Sequence, residues 1–361
     1  MPRFRADVSG LAAYEAGRPI DDIARTYGVT DLIKLASNEN PLPPFEEVQL
    51  VIAAGAKGLH RYPDNNWHDL GEAVAKHVGV DPDQLWFGGG SSELLRIIAL
   101  ALGGPGTSVA YAWPSFVIYR LASVLALSQP VEVPLDSAHR HDLAALRAAL
   151  RPDTTVVYIC NPNNPTGTHV GSAALADFID QMPDDVMVVI DEAYAEYAAA
   201  PDYRSMVPLA VERPNLIVTR TFSKVYGLAG LRIGYAVTAP TNVVELRKAQ
   251  APFTVSNLAQ LAAVEALRHP HQVAERAAAN ATGRSWLTSE LTRRGIECVD
   301  SQANFVYARL GSDSSAVFDA LVYEGVIIRS FGGGGVRITV GTPEENGRFM
   351  TALDGAMPSF R

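Results

Sequence analysis

The chain has 361 residues, of which 48% are apolar and 19% are charged, so it is long enough to bury a large core and too apolar for intrinsic disorder. The formal net charge of −9 is opposite in sign to the basic face of nucleic-acid-binding proteins. The two cysteines, Cys160 and Cys298, exclude a disulfide framework and a four-cysteine zinc site, and they are typical of a reducing compartment.

The N-terminal segment lacks the apolar centre of a signal peptide, and no stretch approaches the roughly 18 apolar residues of a membrane helix. We therefore expect a cytoplasmic protein that binds neither membranes nor nucleic acids. Residues 1–45 are expected to form an N-terminal arm and part of a small domain. Residues 46–245 are expected to form a large domain, and residues 246–361 a small C-terminal domain.

Short apolar runs alternate with helix-compatible segments through the middle of the chain. The strand-like runs are 155–159, 186–190 and 215–219, with the helix-compatible segment 172–182 between the first two, and residues 94–102 are also helix-like. Because these runs have consecutive apolar residues at their centres rather than an alternating pattern, we expect strands covered on both faces. The alternation predicts an α/β fold with a mostly parallel sheet, and such sheets bind ligands at the carboxyl ends of their strands.

The pattern changes after the large domain and favours a smaller α+β unit. Residues 260–290 are predicted to form one long helix, and residues 303–307 and 336–340 are predicted strands. The glycine-rich residues 331–335 are predicted to form a flexible turn before the last of these strands.

Polar residues follow the three apolar runs at one edge of the predicted sheet. The loop 161–167 is rich in Asn, Pro and Gly, Asp191 directly follows the second run, and Lys224 lies shortly after the third. Each has an ordinary alternative: a rigid turn, a helix N-cap and a solvated lysine, respectively. The coincidence of an amide, a carboxylate with a nearby phenol, and an amine at one sheet edge argues for a single site.

These groups suit pyridoxal 5′-phosphate. The Lys224 amine can form a Schiff base with the cofactor aldehyde, and Asp191 can keep the pyridine nitrogen protonated, which makes the ring an electron sink. Asn164 and Tyr194 can donate hydrogen bonds to the phenolic oxygen and so lower the pKa of the Schiff base.

The cofactor phosphate requires hydroxyls, backbone N–H groups and an arginine, which Ser223, Arg232 and the turn 88–93 can supply. This glycine turn could also suggest a dinucleotide site. However, Glu93 stands where the dinucleotide fingerprint requires a third small residue, so NAD is disfavoured.

At this point the sequence resembles a known family, the histidinol-phosphate aminotransferase branch of the fold-type-I aminotransferases. The resemblance extends from Tyr14 to Asn346. It is carried by six motifs: Lys34–Pro41, Arg61–Asp64, Asn161–Gly167, Asp191–Tyr194, Ser223–Tyr235 and Arg337–Thr342. It implies a fold-type-I α/β large domain that binds pyridoxal 5′-phosphate, a smaller α+β domain and a homodimer.

The resemblance also implies roles for individual residues. Lys224, Asp191 and Tyr194 resemble the catalytic groups, and the other cofactor ligands would be Ser91, Ser92, Phe116, Asn164, Ser223 and Arg232, with Phe116 stacked on the ring. Tyr62 resembles a residue that reaches the cofactor phosphate of the neighbouring subunit. Arg337 resembles the arginine that binds the anionic end of the substrate, with Arg329, Tyr14 and Asn304 assisting.

The substrate implied is histidinol phosphate, with 2-oxoglutarate as the amino acceptor in histidine biosynthesis. An aromatic amino-acid aminotransferase and a threonine-phosphate decarboxylase share most of these motifs and stay open. The sequence departs from the family pattern at Leu42–Phe45 and at Ser92, where many members carry Asp. A catalytically silent regulatory module that binds pyridoxal phosphate is disfavoured, because Lys224 is retained and the cofactor-type domain begins almost at once.

No metal is expected. The histidines of the segments 139–141 and 269–271 have no carboxylate or cysteine close to them in the sequence, and both segments are predicted to be surface loops.

Overall fold

Strands and helices alternate along the middle of the chain, as the sequence predicts. The computed structural model describes residues 4–11, 20–311 and 314–356. Its strands are β1 Ile33–Lys34, β2 Leu85–Gly88, β3 Ser108–Trp113, β4 Gln129–Pro134, β5 Thr154–Cys160, β6 Met187–Asp191, β7 Leu216–Thr221, β8 Gly234–Val237, β9 Cys298–Val299, β10 Phe305–Arg309, β11 Val326–Ile327, β12 Arg329–Phe331 and β13 Gly335–Thr339.

Helices cover both faces of the larger sheet and pack on the smaller one. They are α1 Ala6–Ser9, α2 Ile20–Tyr27, α3 Glu46–Gly55, α4 His68–Val78, α5 Ser91–Leu102, α6 Ile118–Leu125, α7 Leu143–Ala148, α8 Ser172–Asp180, α9 Val207–Glu212, α10 Pro240–Lys248, α11 Asn257–Ala266, α12 Pro270–Arg293, α13 Ser314–Tyr323 and α14 Pro343–Ala356. Within the described part of the chain, no helix combines the length and apolar character needed to cross a membrane.

A seven-stranded sheet in the order β2-β8-β7-β6-β5-β3-β4 forms the centre of the larger unit. Only β8 runs antiparallel to its two neighbours, and the other pairs are parallel. Strands β5, β6 and β7 are buried almost throughout because helices cover both faces. The predicted α/β class with a mostly parallel central sheet is confirmed.

The smaller unit contains a four-stranded antiparallel sheet, β12-β13-β10-β9, and the short parallel pair β1-β11. The pair β1-β11 brings the N-terminal segment against the C-terminal part of the chain, because Ile33 and Lys34 lie beside Val326 and Ile327. The glycines of residues 332–334 form the turn between β12 and β13.

The predicted long helix over 260–290 is wrong in one respect: the chain breaks at residues 267–269 and forms two helices, α11 and α12. Pro270 is the cause, because a proline lacks the N–H of a helix interior but fits the first helical position, where it begins α12.

The two largest buried apolar clusters do not meet at the predicted domain boundary of 245/246. The alanines of α11 belong to the cluster around the seven-stranded sheet, together with Phe305 of β10. Leu287 and Leu291 of α12 belong to the cluster of the smaller unit. We therefore propose that the boundary between the larger and the smaller unit lies within α12. The domain boundaries predicted from the sequence, at 45/46 and 245/246, stay predictions.

Candidate active site

The carboxyl ends of β5, β6 and β7 lie side by side and place three polar segments together. Cys160 pairs with Asp191, and Asp191 pairs with Thr219, in the register of these parallel strands. The loop 161–167 and the Ser223–Lys224 segment therefore leave the sheet on either side of Asp191.

A cavity of about 460 Å³ opens at this edge. The predicted site residues that line it are Ser91, Ser92, Phe116, Asn164, Asp191, Tyr194, Ser223, Lys224, Arg232, Arg329 and Arg337. The cavity is within the size range of small-molecule and cofactor sites. Folding thus brings together residues that are almost 250 positions apart in the sequence.

Asp191 is buried at the floor of the cavity, with 1% of its surface exposed. The Tyr119 hydroxyl donates to Oδ2 at 2.9 Å, and the Thr219 hydroxyl donates to Oδ1 at 3.3 Å. Burial raises the pKa of the Asp191 carboxyl to about 6, although both hydrogen bonds and the Lys224 charge oppose this shift. The helical turn that follows begins at Ala195 with Tyr194 at its N-cap, so Asp191 is not a helix cap.

Lys224 is an unusual lysine because it is half-buried and lines the cavity. Its Nζ lies 5.5 Å from the centre of the Tyr194 ring. Burial lowers the pKa of the Lys224 amine to about 8, and the positive charges of Arg337 and Arg232 add to this effect, while Glu39 and Asp191 oppose it. A substantial share of this amine is therefore neutral near physiological pH, which a nucleophile requires.

The part of the cavity at the start of α5 is suited to hold an anion. Ser91 and Ser92 form the first turn of α5, where the unpaired N–H groups and the helix dipole attract negative charge. Arg232 reaches the same place and donates to the Ala229 carbonyl at 2.9 Å and the Ser223 hydroxyl at 3.4 Å. A Cβ at Gly90 would overlap the Arg232 guanidinium, so only glycine leaves this approach open.

Two arginines of the smaller sheet face the cavity from the other side. Arg329 of β12 lies directly opposite Arg337 of β13, and residues so paired project to the same face. The Arg337 guanidinium donates through Nη1 to Asn164 Oδ1 and through Nη2 to the Ala36 carbonyl at 2.6 Å. Arg337 thereby connects the smaller sheet to the 161–167 loop and to the N-terminal segment.

Two of the predicted residues, Tyr62 and Asn304, do not line the cavity. Tyr62 is 81% exposed and stacks on Phe253 with ring centres 4.7 Å apart, outside the cavity. The buried Asn304 amide donates to the carbonyls of Asn38 and Glu39, and so acts on the segment that Arg337 also contacts. Tyr14 lies outside the described residues.

Several residues of the site have no earlier prediction. Tyr119 and Thr219 hold Asp191; the Asn38 amide donates to the Tyr194 hydroxyl at 2.9 Å. Lys34 and Glu39 line the cavity as an ion pair at 3.1 Å. Asn38, Lys34 and Glu39 belong to the N-terminal motif, which could have drawn attention to them. Tyr119 follows Phe116 by about one helical turn, a spacing that could have indicated a shared face.

The two histidine segments are not simple surface loops, and this prediction is wrong. His141 is buried, with 5% of its surface exposed, because its ring packs behind the 161–167 loop. His269 contacts the Glu265 carboxylate at 2.9 Å, one turn before it. In the described ranges, no group of three or more His, Cys, Asp or Glu side chains is arranged to hold a metal ion.

The sequence model of the aminotransferases of class I and II matches residues 30–353. The chain belongs to this aminotransferase family. The resemblance read from the motifs is thereby confirmed, and the chain is an enzyme of the transaminase type.

Curated relatives of this aminotransferase are similar over nearly their whole length. The histidinol-phosphate aminotransferase of Moorella thermoacetica is 40% identical over 98% of this chain and 92% of the relative. The aromatic amino acid aminotransferase of Nocardia farcinica is 40% identical over 96% of both chains. Among solved structures, the histidinol-phosphate aminotransferase of Sinorhizobium meliloti in complex with pyridoxal-5′-phosphate superposes with a TM-score of 0.92 and 28% identity, covering 100% of this chain and 99% of that chain.

Proposed function

We propose that the cavity binds pyridoxal 5′-phosphate, with its phosphate at the N-terminus of α5 and its pyridine nitrogen at Asp191. The residues present fit this group. Gly90 leaves room for the Arg232 guanidinium, which a side chain there would overlap, and the carboxylate of Asp191 and the amine of Lys224 line the same cavity. The S. meliloti relative was solved with this cofactor.

When bound, the cofactor supplies an electron sink that stabilises negative charge on the substrate carbon. The residues of the chain do the rest. Lys224 would attach the cofactor through Nζ and, once released by the substrate amine, would move a proton at the amine-bearing carbon, first as base and then as acid. Asp191 would keep the pyridine nitrogen protonated, while Asn164 and Tyr194 would hold the cofactor's phenolic oxygen and Phe116 its ring.

We infer that the donor carries a phosphate, and that the enzyme is a histidinol-phosphate aminotransferase with 2-oxoglutarate as acceptor. The observation that carries this proposal is the pair Arg329 and Arg337, which stand at directly paired positions of β12 and β13 and both line the cavity, together with Lys34. Guanidinium groups bind phosphate and carboxylate through parallel hydrogen bonds, so one site can serve donor and acceptor in turn.

A second candidate is aromatic amino-acid transamination, which the N. farcinica relative favours at the same identity. The experiment is a panel of donors with 2-oxoglutarate: histidinol phosphate, histidinol, phenylalanine and threonine phosphate, with glutamate as the readout and Lys224→Ala as the blank. We expect the highest kcat/KM with histidinol phosphate and a large loss with histidinol. Equal rates for these two, or a faster reaction with phenylalanine, would contradict the phosphate proposal.

We also propose a cytoplasmic homodimer in which Tyr62 contacts the cofactor phosphate of the partner. Large apolar side chains are exposed on the neighbouring segments α3, 59–62, 253 and α11: Leu50, Leu59, Tyr62, Phe253 and Leu261. An exposed apolar patch of this kind marks an interaction surface, and a second copy of the chain would cover it.

A further inference from the structure

A buried histidine that the proposed mechanism does not use lies directly behind the cofactor loop. His141 precedes Asp142, which caps helix α7 by accepting a hydrogen bond from the Ala145 N–H at 2.9 Å. Its backbone is thus fixed at the start of a helix, and its ring points into the protein rather than into solvent.

The hydrogen bonds around Asn163 determine which His141 nitrogen carries the proton. The Asn163 Nδ2 donates to the Pro114 carbonyl at 3.2 Å and to the Thr166 hydroxyl at 2.9 Å, which fixes the orientation of the amide. Its Oδ1 then faces His141 Nε2 at 3.1 Å and accepts. An amide oxygen only accepts, so His141 is the donor and carries its proton on Nε2.

The ring is neutral and is held through this single bond. Burial lowers the pKa of His141 to about 4, so the imidazole stays uncharged at physiological pH. Its Nδ1 is buried and finds no hydrogen-bond partner among the residues that the structure describes. A buried acceptor without a partner costs free energy. A histidine at this position is therefore explained only if the hydrogen bond from its other nitrogen, Nε2, is useful to the protein.

The Asn163 amide that receives this proton joins two loops of the cofactor site. Its Oδ1 also accepts from the Ser115 hydroxyl at 2.7 Å, next to Phe116, and its own chain continues into Asn164. Asn163 is fully buried, and both of its donor hydrogens and both of its acceptor positions are used. The two residues that flank this network, Phe116 and Asn164, both line the cavity.

We propose that His141 is a positioning residue for the transamination site: through Asn163 it holds Asn164 against the cofactor's phenolic oxygen and Phe116 against its ring. The proposal rests on the proposed binding of pyridoxal 5′-phosphate, and it does not depend on which amine substrate the enzyme uses. It assigns His141 a role in the reaction although its ring does not line the cavity.

The test compares His141→Leu, which fills the space without a donor, with His141→Gln, whose amide can donate from nearly the same place. His139→Gln is the matched control, since that side chain is half-buried two residues away and makes no hydrogen bond to Asn163. The readouts are the cofactor dissociation constant, the apparent pKa read from the visible absorbance of the holoenzyme, and the thermal stability of the cofactor-free protein.

We expect His141→Leu to weaken cofactor binding about fivefold, the equivalent of one lost hydrogen bond, and to raise the apparent pKa, because Asn164 would no longer be held in place. His141→Gln and His139→Gln should both retain the wild-type pKa. An unchanged pKa and dissociation constant in His141→Leu, with stability alone reduced, would overturn the proposal. So would a Gln variant that behaves like Leu.

If His141→Leu is insoluble, Ser115→Ala removes the other donor to the same amide, and the same shifts are expected. The outcome is separable from the proposed function: a wild-type protein that develops no visible absorbance with pyridoxal 5′-phosphate contradicts the cofactor assignment itself. Donor preference does not enter these readouts.

Discussion

Asp191 combines two demands that oppose each other: it is buried, yet its proposed role requires a negative charge. Burial favours the protonated carboxyl, and the hydroxyls of Tyr119 and Thr219 favour the carboxylate by donating to both oxygens. The charge of this residue therefore depends on side chains that never touch the ligand.

Tyr119→Phe is expected to move the acid limb of the pH–rate profile to higher pH. The hydroxyl lowers the pKa of the Asp191 carboxyl, so its loss raises that pKa and the carboxylate is lost earlier as the pH falls. At a pH near the limb we expect kcat to fall about tenfold, from the loss of one hydrogen bond to a charged group.

Tyr158→Phe is the matched control for this prediction. Its ring stacks on Tyr119 at 4.7 Å, but its hydroxyl donates to the Leu95 carbonyl instead. This variant should keep the wild-type acid limb. If both variants shift the limb equally, packing rather than the hydrogen bond controls Asp191.

The attachment of cofactor to the empty enzyme should report the pKa of Lys224. Only the neutral amine attacks the aldehyde, so the rate of colour development should rise with pH, with a midpoint at about pH 8. Glu39→Gln should lower this midpoint, because the Glu39 charge raises the Lys224 pKa. A midpoint near 10.4, about the value of a solvated lysine, would show that the amine is not enclosed.

Among the elements, the turn before α5 has the most specific requirement. Gly90 has a φ of +87° and closely approaches Arg232, so an alanine there meets both backbone strain and a side-chain clash. We expect Gly90→Ala to fold with lower stability, since a side chain in this backbone conformation costs roughly 1–3 kcal/mol. It should bind cofactor about tenfold more weakly, because Arg232 must move.

Gly104→Ala is the control, because a Cβ there would meet no atom within 4 Å. Equilibrium binding of pyridoxal 5′-phosphate to both variants decides the matter. Equal affinities would remove the Gly90–Arg232 approach from the cofactor site.

The positions of three central strands were predictable because each contains a run of consecutive apolar residues and is followed by a polar loop. The runs 155–159, 186–190 and 215–219 became β5, β6 and β7 with shifts of one or two residues at their ends. The antiparallel β8 was not predictable, because Gly234–Val237 carries no signal for its direction and its place is set by its pairing with β2 and β7.

The same reasoning explains which parts of the site were found. Asp191 is the last residue of β6 and Lys224 lies three residues after the end of β7, so their place at the sheet edge follows from the sequence pattern. Three further residues of the site could not be located in this way. They lie on other elements, and only the packing of segments distant in the sequence brings them to their partners: Tyr119 of α6 to Asp191, Asn38 of the N-terminal segment to Tyr194, and His141 of a loop to Asn163.

At the scale of the whole molecule, Tyr62 lies outside the cavity of its own chain, although it is proposed to contact a cofactor phosphate. Tyr62 and Phe253 stack on each other at the surface, and Tyr62 can complete a site only if a second chain brings one to it. Sedimentation should accordingly give twice the 38.7 kDa of one chain.

Mixing two impaired variants tests whether Tyr62 acts on the cofactor site of the partner subunit. Lys224→Ala retains Tyr62, and Tyr62→Ala retains Lys224, so a mixed dimer contains one site with both groups if Tyr62 acts on the partner. We expect each variant alone to be impaired and an equal mixture, after subunit exchange, to recover about a quarter of wild-type activity. A mixture no more active than the average of its components would place Tyr62 on its own subunit's site or outside the mechanism.

Helix α12 packs against the larger apolar cluster at one end and the smaller one at the other. This arrangement limits which insertions and deletions the chain can tolerate. Val273 and Ala277 pack against the larger cluster, whereas Leu287 and Leu291 are buried in the smaller one. One inserted residue between Ala277 and Leu287 would rotate the two leucines by roughly 100° out of their cluster. Insertions and deletions that survive selection should therefore fall in the loops on either side of α12. The number of residues between Ala277 and Leu287 should be constant among relatives, and it can be used to align distant sequences.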